Sequence, residues 1–366
     1  MKAFVTGGTG FVGKRLVRQL LERGYDVTCL VRSLEQATHL REMGAVLVPG
    51  DVTNRDSMRA GMSGADVVFH LAAWHEASLP PGADKRMERI NVGGAENVLG
   101  LAAELNVPKI VYTSTVNVLG DTHGTIVDET YRHSGPFRSV YDRTKYEAHQ
   151  LAQQYAAQGV PVISVMPATV YGPGDTGMLC VLWQLLLRRM LPVLPGADIG
   201  LSFVHVDDVA QGHVLAAERG QVGHSYILGG DAMTIGDAVQ VVTRLAGVPT
   251  PLLFLNSNLA MPFQPLMRWL ERFAPLPPLL SAEMARWLGT TWLVSSDKAE
   301  HELGYTHRSF EEGMAETVTW EATQLHGKLT FAPGRTAKVL LALTAAASIS
   351  GLVLLLRGRF HRRRAE

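Results

Sequence analysis

The chain has 366 residues, 46% of them apolar, which is enough for a sizeable core and for one large domain or two. Its 34 Lys and Arg balance 34 Asp and Glu, so no basic excess attracts nucleic acid. The two cysteines, Cys29 and Cys180, exclude a disulfide framework and suit a reducing compartment. In chain order, Lys2–Thr6 reads as a short buried strand that runs into the turn TGGTGFVG at 6–13. Val12, Leu16, Val17, Leu20 and Leu21 then recur with helical spacing, and Gly24 suits the end of that helix. Buried strands follow at Val27–Val31, Val46–Val48, Val67–Leu71, Lys109–Thr113 and Val160–Val165, with helices expected over Glu88–Leu105 and Ser139–Ala157.

Strands that alternate with helices in this way predict an α/β fold with a Rossmann-type, doubly wound parallel sheet. Ligands of such sheets sit at the carboxyl ends of the strands. Residues 1–170 make up the expected core, and 171–322 a smaller substrate-side subdomain with elements that return to the core. Within it, Pro249–Gly289 is rich in Pro, Leu, Met, Phe and Trp and is broken by prolines, so it reads as a lid or as a packed helical layer. Trp269 and Phe273, four apart, read as core, with a substrate wall as the alternative. Residues 323–338 form a polar linker, 339–356 an apolar helix and 357–366 a basic tail. The uncharged run Val339–Leu356 would make a helix about 27 Å long, just enough for a bilayer core. No leader precedes the first strand, and the expectation is a cytoplasmic body associated with the membrane on its cytoplasmic face. The alternative is a helix buried against the domain or a partner.

Gly7, Gly10 and Gly13 lie between a strand and a helix. The first allows the tight turn, the second lets backbone approach a pyrophosphate, and the third lets helix and strand pack closely. With Thr9, Phe11 and Val12 they form the expected phosphate cradle of a nicotinamide dinucleotide, completed by the free N–H groups of the helix N-terminus. The second strand ends in Val31, Arg32, Ser33 with no acid to receive the ribose hydroxyls of NAD. Arg32 stands where a guanidinium would clamp a 2′-phosphate, which favours NADP over NAD. The alternative is a solvated arginine and NAD.

Tyr141 and Lys145 share one face of an expected helix. A phenol titrates near 10, and a neighbouring ammonium is expected to lower that value toward the working range. Ser114 and Thr115 follow the fifth strand, so either hydroxyl can hold a substrate oxygen there while Tyr141 passes the proton. No metal-ligand spacing joins His70, His75, His205, His213 and His224 to cysteines or paired acids. Asp207 and Asp208 read as a helix start.

TGGTGFVG, GDVTN at 50–54, HLAA at 70–73, YTSTVNVLG at 112–120, PFRSVYDRTK at 136–145 and VYGPGD at 170–175 resemble the extended short-chain dehydrogenase/reductase family. FVHVDDVAQGHVLA at 203–216 and SSDKAEHELGY at 295–305 continue the likeness over roughly residues 1–322. The resemblance implies Tyr141 as general acid/base and Lys145 as a ligand of the nicotinamide ribose. It implies Thr115 as the catalytic hydroxyl, with Ser114 as the fallback. Asp51 and Val52 would contact adenine, Leu71, Ala72 and Ala73 would line the cofactor channel, and Pro167 to Val170 would close over the nicotinamide amide. Nucleotide-sugar members of the family carry an arginine just before FxxVDD, where this chain has Leu201 and Ser202. They tend to have Asn where it has Thr169. Arg188, Arg189 or Arg268 remain as substitute clamps. The chain looks closer to the dihydroflavonol reductase and 3β-hydroxysteroid dehydrogenase branch, which implies hydride transfer between a lipophilic ketone and its alcohol. A sugar epimerase or dehydratase holding NAD, and a catalytically silent cofactor-binding scaffold, are the alternatives. A homodimer through the two long helices is implied by resemblance alone.

Overall fold

The structure is a computed structural model in which residues 1–75, 83–260, 269 and 288–324 are described. Its strands are β1 (Lys2–Thr6), β2 (Asp26–Val31), β3 (Val46–Pro49), β4 (Val67–His70), β5 (Ile110–Thr113), β6 (Val162–Pro167), β7 (Thr169–Tyr171), β8 (Val193–Pro195), β9 (Gly200–His205), β10 (Ser225–Leu228), β11 (Asp231–Thr234) and β12 (Leu253–Leu255). The helices that matter below are α1 (Phe11–Glu22), α2 (Gly94–Glu104), α3 (Val140–Ala157), α4 (Met178–Leu187), α5 (Val206–Arg219), α6 (Ile235–Ala246), α7 (Asp297–Leu303) and α8 (Phe310–Gln324).

Seven parallel strands form the main sheet in the order β10-β6-β5-β4-β1-β2-β3. The chain winds one way from β1 to β3 and the other way from β4 onward, so the switch point lies between β1 and β4. Alternate residues of each strand face opposite layers. Ala3 and Val5 join Leu16, Val17 and Leu20 of α1 and Val209, Ala210 and Val214 of α5. Phe4 joins Val98 and Leu101 of α2 and Ala148 and Ala152 of α3 on the other face. Each fully buried Val or Leu contributes about 1.5–3 kcal/mol, which fixes the register of every strand.

The returning elements come from far along the chain. β10 closes one sheet edge, and α5 lies on α1, where Arg18 binds Asp207 at 3.0 Å and Gln19 donates to its carbonyl at 2.9 Å. Arg308 grips the buried carboxylate of Asp208 at 2.9 Å and ties the approach to α8 onto α5. Beyond the main sheet, β11-β9-β7 form a small sheet and β12 pairs with β8.

The sequence places two elements differently. The helix expected from Glu88 begins at Ala83 and is interrupted by a π-helical turn, Arg89–Gly93, before α2. The sixth strand starts at Val162 because Pro161, which has no N–H, can offer only its carbonyl to Ile110. Trp269 is 53% exposed and so is not core, while Phe273, Arg268, most of Pro249–Gly289 and all of 325–366 lie outside the described residues. The expected apolar helix at 339–356 falls among the latter. Among the described residues, no helix is long and apolar enough to cross a membrane.

Candidate active site

The turn after β1 is shaped by the need for three glycines. Gly7 has φ +77°, and a Cβ there would lie 2.7 Å from the Ala72 amide nitrogen. A Cβ on Gly13 would lie 2.1 Å from the Gly7 carbonyl oxygen, so α1 packs directly on the turn. Gly10 caps α1 without a side-chain bond, leaving the first amides of the helix open. Thr9 and Gly10 are exposed, and Phe11 and Val12 are half-buried beside them. Leu71, Ala72 and Ala73 follow β4 immediately across the switch point. These features fit a dinucleotide pyrophosphate: a close-approach backbone, a positive helix end and no side chain in the way.

Arg32 is exposed just past β2. Asp51, past β3, accepts from the Thr53 amide and hydroxyl, each at 2.8 Å. Burial acts to raise the Asp51 carboxyl, but the bonds from Thr53 and the charges of Arg32 and Arg89 outweigh it, and the group titrates below its ordinary value. Val52 is buried beside it, Pro167 is buried at the end of β6, and Val170 is half-buried in β7.

Ser139 caps α3, accepting from the Asp142 amide at 3.0 Å, and thereby sets Tyr141 and Lys145 in the first turns of the helix. The Thr115 side chain lies within hydrogen-bonding reach of the Tyr141 phenol. The Ser114 hydroxyl is buried with no hydrogen-bond partner among the described residues, so the pairing falls to Thr115. The expected action of Lys145 on Tyr141 is not found. Burial, and then the charge of Asp142, push the phenol well above its ordinary value. Lys145 instead donates to the Thr113 carbonyl at 2.8 Å and lies 5.3 Å over the Tyr112 ring, and burial brings it down to about 8. Helical spacing gives the two side chains a shared face, but the lysine stem is long enough to reach the strand instead. The phenol is therefore held protonated at neutral pH, in the form that donates.

Three polar side chains missed by the sequence reading organise this site. Asn117 donates to the Asp142 carboxylate at 2.9 Å and accepts from the Thr115 hydroxyl at 3.3 Å. Asn91, from the π-helical turn, accepts from the Trp74 amide at 2.7 Å and donates to Thr144 Oγ1 at 3.1 Å. Spacing gave no signal for any of them, because each acts across elements far apart in sequence. His70 shares a 2.7 Å hydrogen bond with the Thr6 hydroxyl. Burial, with help from Lys145, lowers it to about 3, so it stays neutral.

Leu201 and Ser202 are buried within β9, and Ser202 Oγ accepts from the Val294 amide at 2.9 Å. Arg188 is half-buried and Arg189 exposed at the end of α4. Asp207 and Asp208 open α5 as expected. His205, Asp207 and Glu316 bring ligand-type atoms within 4.8 Å of one another, a grouping that spacing alone had not revealed. Arg18 at 3.0 Å from Asp207 and Arg308 at 3.4 Å from Glu316 already neutralise its carboxylates, and we read it as a structural knot.

A doubly wound sheet with a glycine cradle at its switch point, and a half-buried Tyr and a buried Lys on the helix beside it, defines an NAD(P)-dependent oxidoreductase acting on CH–OH groups. The model of the NAD dependent epimerase/dehydratase family matches residues 3–229, and the chain belongs to that family. It is similar to a putative dihydroflavonol 4-reductase of Synechocystis sp., 34% identical over 88% of this chain and 95% of the relative. It is 33% identical to 4-hydroxy-2-methyl-3-oxo-4-farnesyl-3,4-dihydroquinoline-1-oxide ketoreductase of Stigmatella aurantiaca, over 84% of this chain and 92% of that one. A 3 beta-hydroxysteroid dehydrogenase/Delta 5-->4-isomerase of Mycobacterium tuberculosis is 30% identical over 83% of this chain and 85% of its own length. Among solved structures, that of gox2253 matches with TM-score 0.77 and 33% identity over 89% of this chain and 99% of that one. A UDP-glucose 4-epimerase from Thermotoga maritima shares the fold, with TM-score 0.71 and 22% identity over 89% of this chain and 100% of its own.

Proposed function

We propose that this oxidoreductase interconverts a ketone and a secondary alcohol on a lipophilic substrate, with Tyr141 as the acid/base. The observation that carries the reading is the half-buried, protonated Tyr141 phenol beside the Thr115 side chain past the carboxyl end of β5. When bound, the dinucleotide supplies or accepts a hydride. The turn residues Gly7, Thr9, Gly10, Phe11, Val12 and Gly13 hold its pyrophosphate through backbone amides. Asp51 and Val52 flank the adenine, Leu71, Ala72 and Ala73 line the channel, and Pro167 and Val170 face the nicotinamide. Thr115 and Tyr141 together hold the carbonyl oxygen. Tyr141 gives its proton to that oxygen as the carbon is reduced and takes it back in the reverse direction. Lys145, cationic at neutral pH and turned to the Thr113 carbonyl, binds the nicotinamide ribose.

Burial of Leu201 and Ser202 inside β9 supports an apolar substrate, since no guanidinium stands at that position to neutralise a diphosphate. The name of the Stigmatella relative describes a farnesylated ketone, which points the same way. Arg32, facing Asp51 with no acid at the strand end, favours NADP. We place the body on the cytoplasmic side, associated with the membrane through 339–356, and infer a homodimer through α2 and α3.

Titration of the purified protein with NADPH and NADH, wild type against Arg32→Asp, tests the cofactor. NADPH should bind at least tenfold more tightly, and the variant should lose that margin. Stoichiometric NADPH oxidation with lipophilic ketones, abolished in Tyr141→Phe, tests the chemistry. Sugar-nucleotide conversion without net NADPH consumption would replace this reading with the epimerase one.

A further inference from the structure

Asp142 is the third residue past the Ser139 cap of α3, and an acid at that place suits the helix dipole in any setting. An exposed carboxylate would serve as well for that purpose. Asp142 is instead 9% exposed and is bonded to another element. Its backbone N–H donates to Ser139 Oγ at 3.0 Å, and its carboxylate accepts from Asn117 Nδ2 at 2.9 Å. Asn117 lies in the helical turn Val116–Leu119 that follows β5. Its other end meets Thr115: Asn117 Oδ1 accepts from the Thr115 hydroxyl at 3.3 Å, and the Asn117 backbone N–H donates to Thr115 Oγ1 at 3.3 Å.

The carboxylate decides which way the Asn117 amide faces. The two ends of such an amide have nearly the same shape, and only their partners tell them apart. A carboxylate accepts and does not donate, so Asp142 takes the NH2 end and leaves the oxygen to Thr115. The Thr115 hydroxyl then has a place for its proton. One of its lone pairs receives the Asn117 backbone N–H, and the other is left for the Tyr141 phenol, which lies within hydrogen-bonding reach. Turned over, Asn117 would bring a second N–H to Thr115. Two N–H groups and the phenol O–H would then compete for two lone pairs, and the Thr115 proton would lose its acceptor on Asn117.

We propose that Asp142 is a positioning residue: by holding the Asn117 amide in one orientation, it keeps the Thr115 hydroxyl as a reserve donor for the substrate carbonyl. The inference rests on Thr115 as the hydroxyl that holds the substrate oxygen. At 3.3 Å the bond from Thr115 to Asn117 is long for a hydroxyl, whose bonds cluster at about 2.7–2.8 Å. An arriving carbonyl oxygen therefore offers the Thr115 proton a better partner, and the proton turns to it from Asn117. Without the carboxylate, Asn117 is free to turn over, and the molecules in which it does so lose the reserve.

The test is steady-state reduction of 1-tetralone with NADPH by the full chain, with each substitution made in the wild type and in Thr115→Ala. Asp142→Ala should lower kcat by about five- to tenfold, no more than removal of the hydroxyl itself, with KM within about twofold of wild type. Asp142→Asn, which keeps an acceptor oxygen without the charge, should recover most of that loss. In the Thr115→Ala background, Asp142→Ala should cost less than about twofold further, because no hydroxyl is left to position. Ser139→Ala, which removes the helix cap and leaves the Asn117–Asp142 pair, should cost the same factor in both backgrounds. Equal losses in Asp142→Ala and Asp142→Asn overturn the proposal, as does an Asp142→Ala loss of the same factor in both backgrounds. A Thr115→Ala protein as active as wild type removes the Thr115 reading, and a wild type that does not reduce 1-tetralone removes the ketone reading; either takes the inference with it.

Discussion

Gly13→Ala isolates the contact on which the dinucleotide cradle depends. The added Cβ would stand 2.1 Å from the Gly7 carbonyl oxygen, 2.8 Å from its carbon and 2.9 Å from Gly8 Cα. Carbon in ordinary contact sits about 3.5 Å from such atoms. All three are backbone, so no side chain can swing aside. Relief requires the first turn of α1 to retreat from β1 by about 1 Å. That movement lifts Leu16 and Val17, both fully buried, off the sheet and strains the 2.9 Å bond from the Gly10 amide to the Gly7 carbonyl. Overpacking of this kind costs about 1–3 kcal/mol. At about 2–4 °C per kcal/mol, the melting temperature should fall by about 2–12 °C. The displaced amides should weaken NADPH binding by about 10–100-fold. Thermal unfolding and a fluorescence titration with NADPH measure both quantities. Gly24→Ala is the control: its φ is +79° with nothing within 4 Å of the added carbon, so it should cost about 1–2 kcal/mol of strain and leave NADPH affinity alone. A Gly13→Ala protein that melts within 1 °C of wild type and binds NADPH equally well would refute the reasoning.

Other perturbations separate the roles of neighbouring groups. Thr115→Ala should lower kcat by about 10–100-fold while Ser114→Ala changes it little, because the Thr115 side chain acts on the phenol and the Ser114 hydroxyl has no hydrogen-bond partner among the described residues; equal losses in single-turnover assays would count against the assignment. Lys145 titrates at about 8 in the folded protein against 10.5 ordinarily. The unfolded chain therefore binds more protons between those values, and the buried ammonium costs about 3 kcal/mol below pH 8, a penalty that fades toward pH 10.5. Urea unfolding should accordingly show Lys145→Met gaining most relative to wild type at pH 7 and progressively less at pH 9 and 10, and a pH-independent difference would contradict it. Arg308→Leu strands the buried Asp208 carboxylate and should cost about 3–5 kcal/mol in denaturant midpoint experiments, with NADPH affinity retained.

The first half of the fold was legible because its determinants are local. Alternating buried strands, a glycine turn and helical spacing each speak within a dozen residues, and the observed β1 to β6 follow that order. The place of β10 at the sheet edge was not legible in detail, because it depends on pairing with a strand some sixty residues earlier. In the site, spacing put Tyr141 and Lys145 on one face. It did not say that Lys145 would spend its proton donor on the Thr113 carbonyl, since side-chain reach is a tertiary matter. Asn91, Asn117 and Asp142 left no trace in the pattern. A lone Asn in an apolar stretch is read as tolerated until its partners are known. The glycine turn was legible, because a Cβ at Gly7 or at Gly13 would stand less than 3 Å from backbone.

The π-helical turn at Arg89–Gly93 amounts to one residue more than an α-helix would need there. Deleting one residue from it would let the helix run straight, and everything before the deletion would rotate by about 100° relative to α2. The apolar face of α2 would keep its place, so the fold should survive. Asn91, however, would turn away from Trp74 and Thr144, and the His75 segment would lose its anchor. A single codon in this turn therefore acts as a length register: present, it couples the segment beyond β4 to the helix of Tyr141; absent, it frees that segment to vary. The turn gives this chain a route to altered specificity by insertion or deletion rather than by substitution at the site.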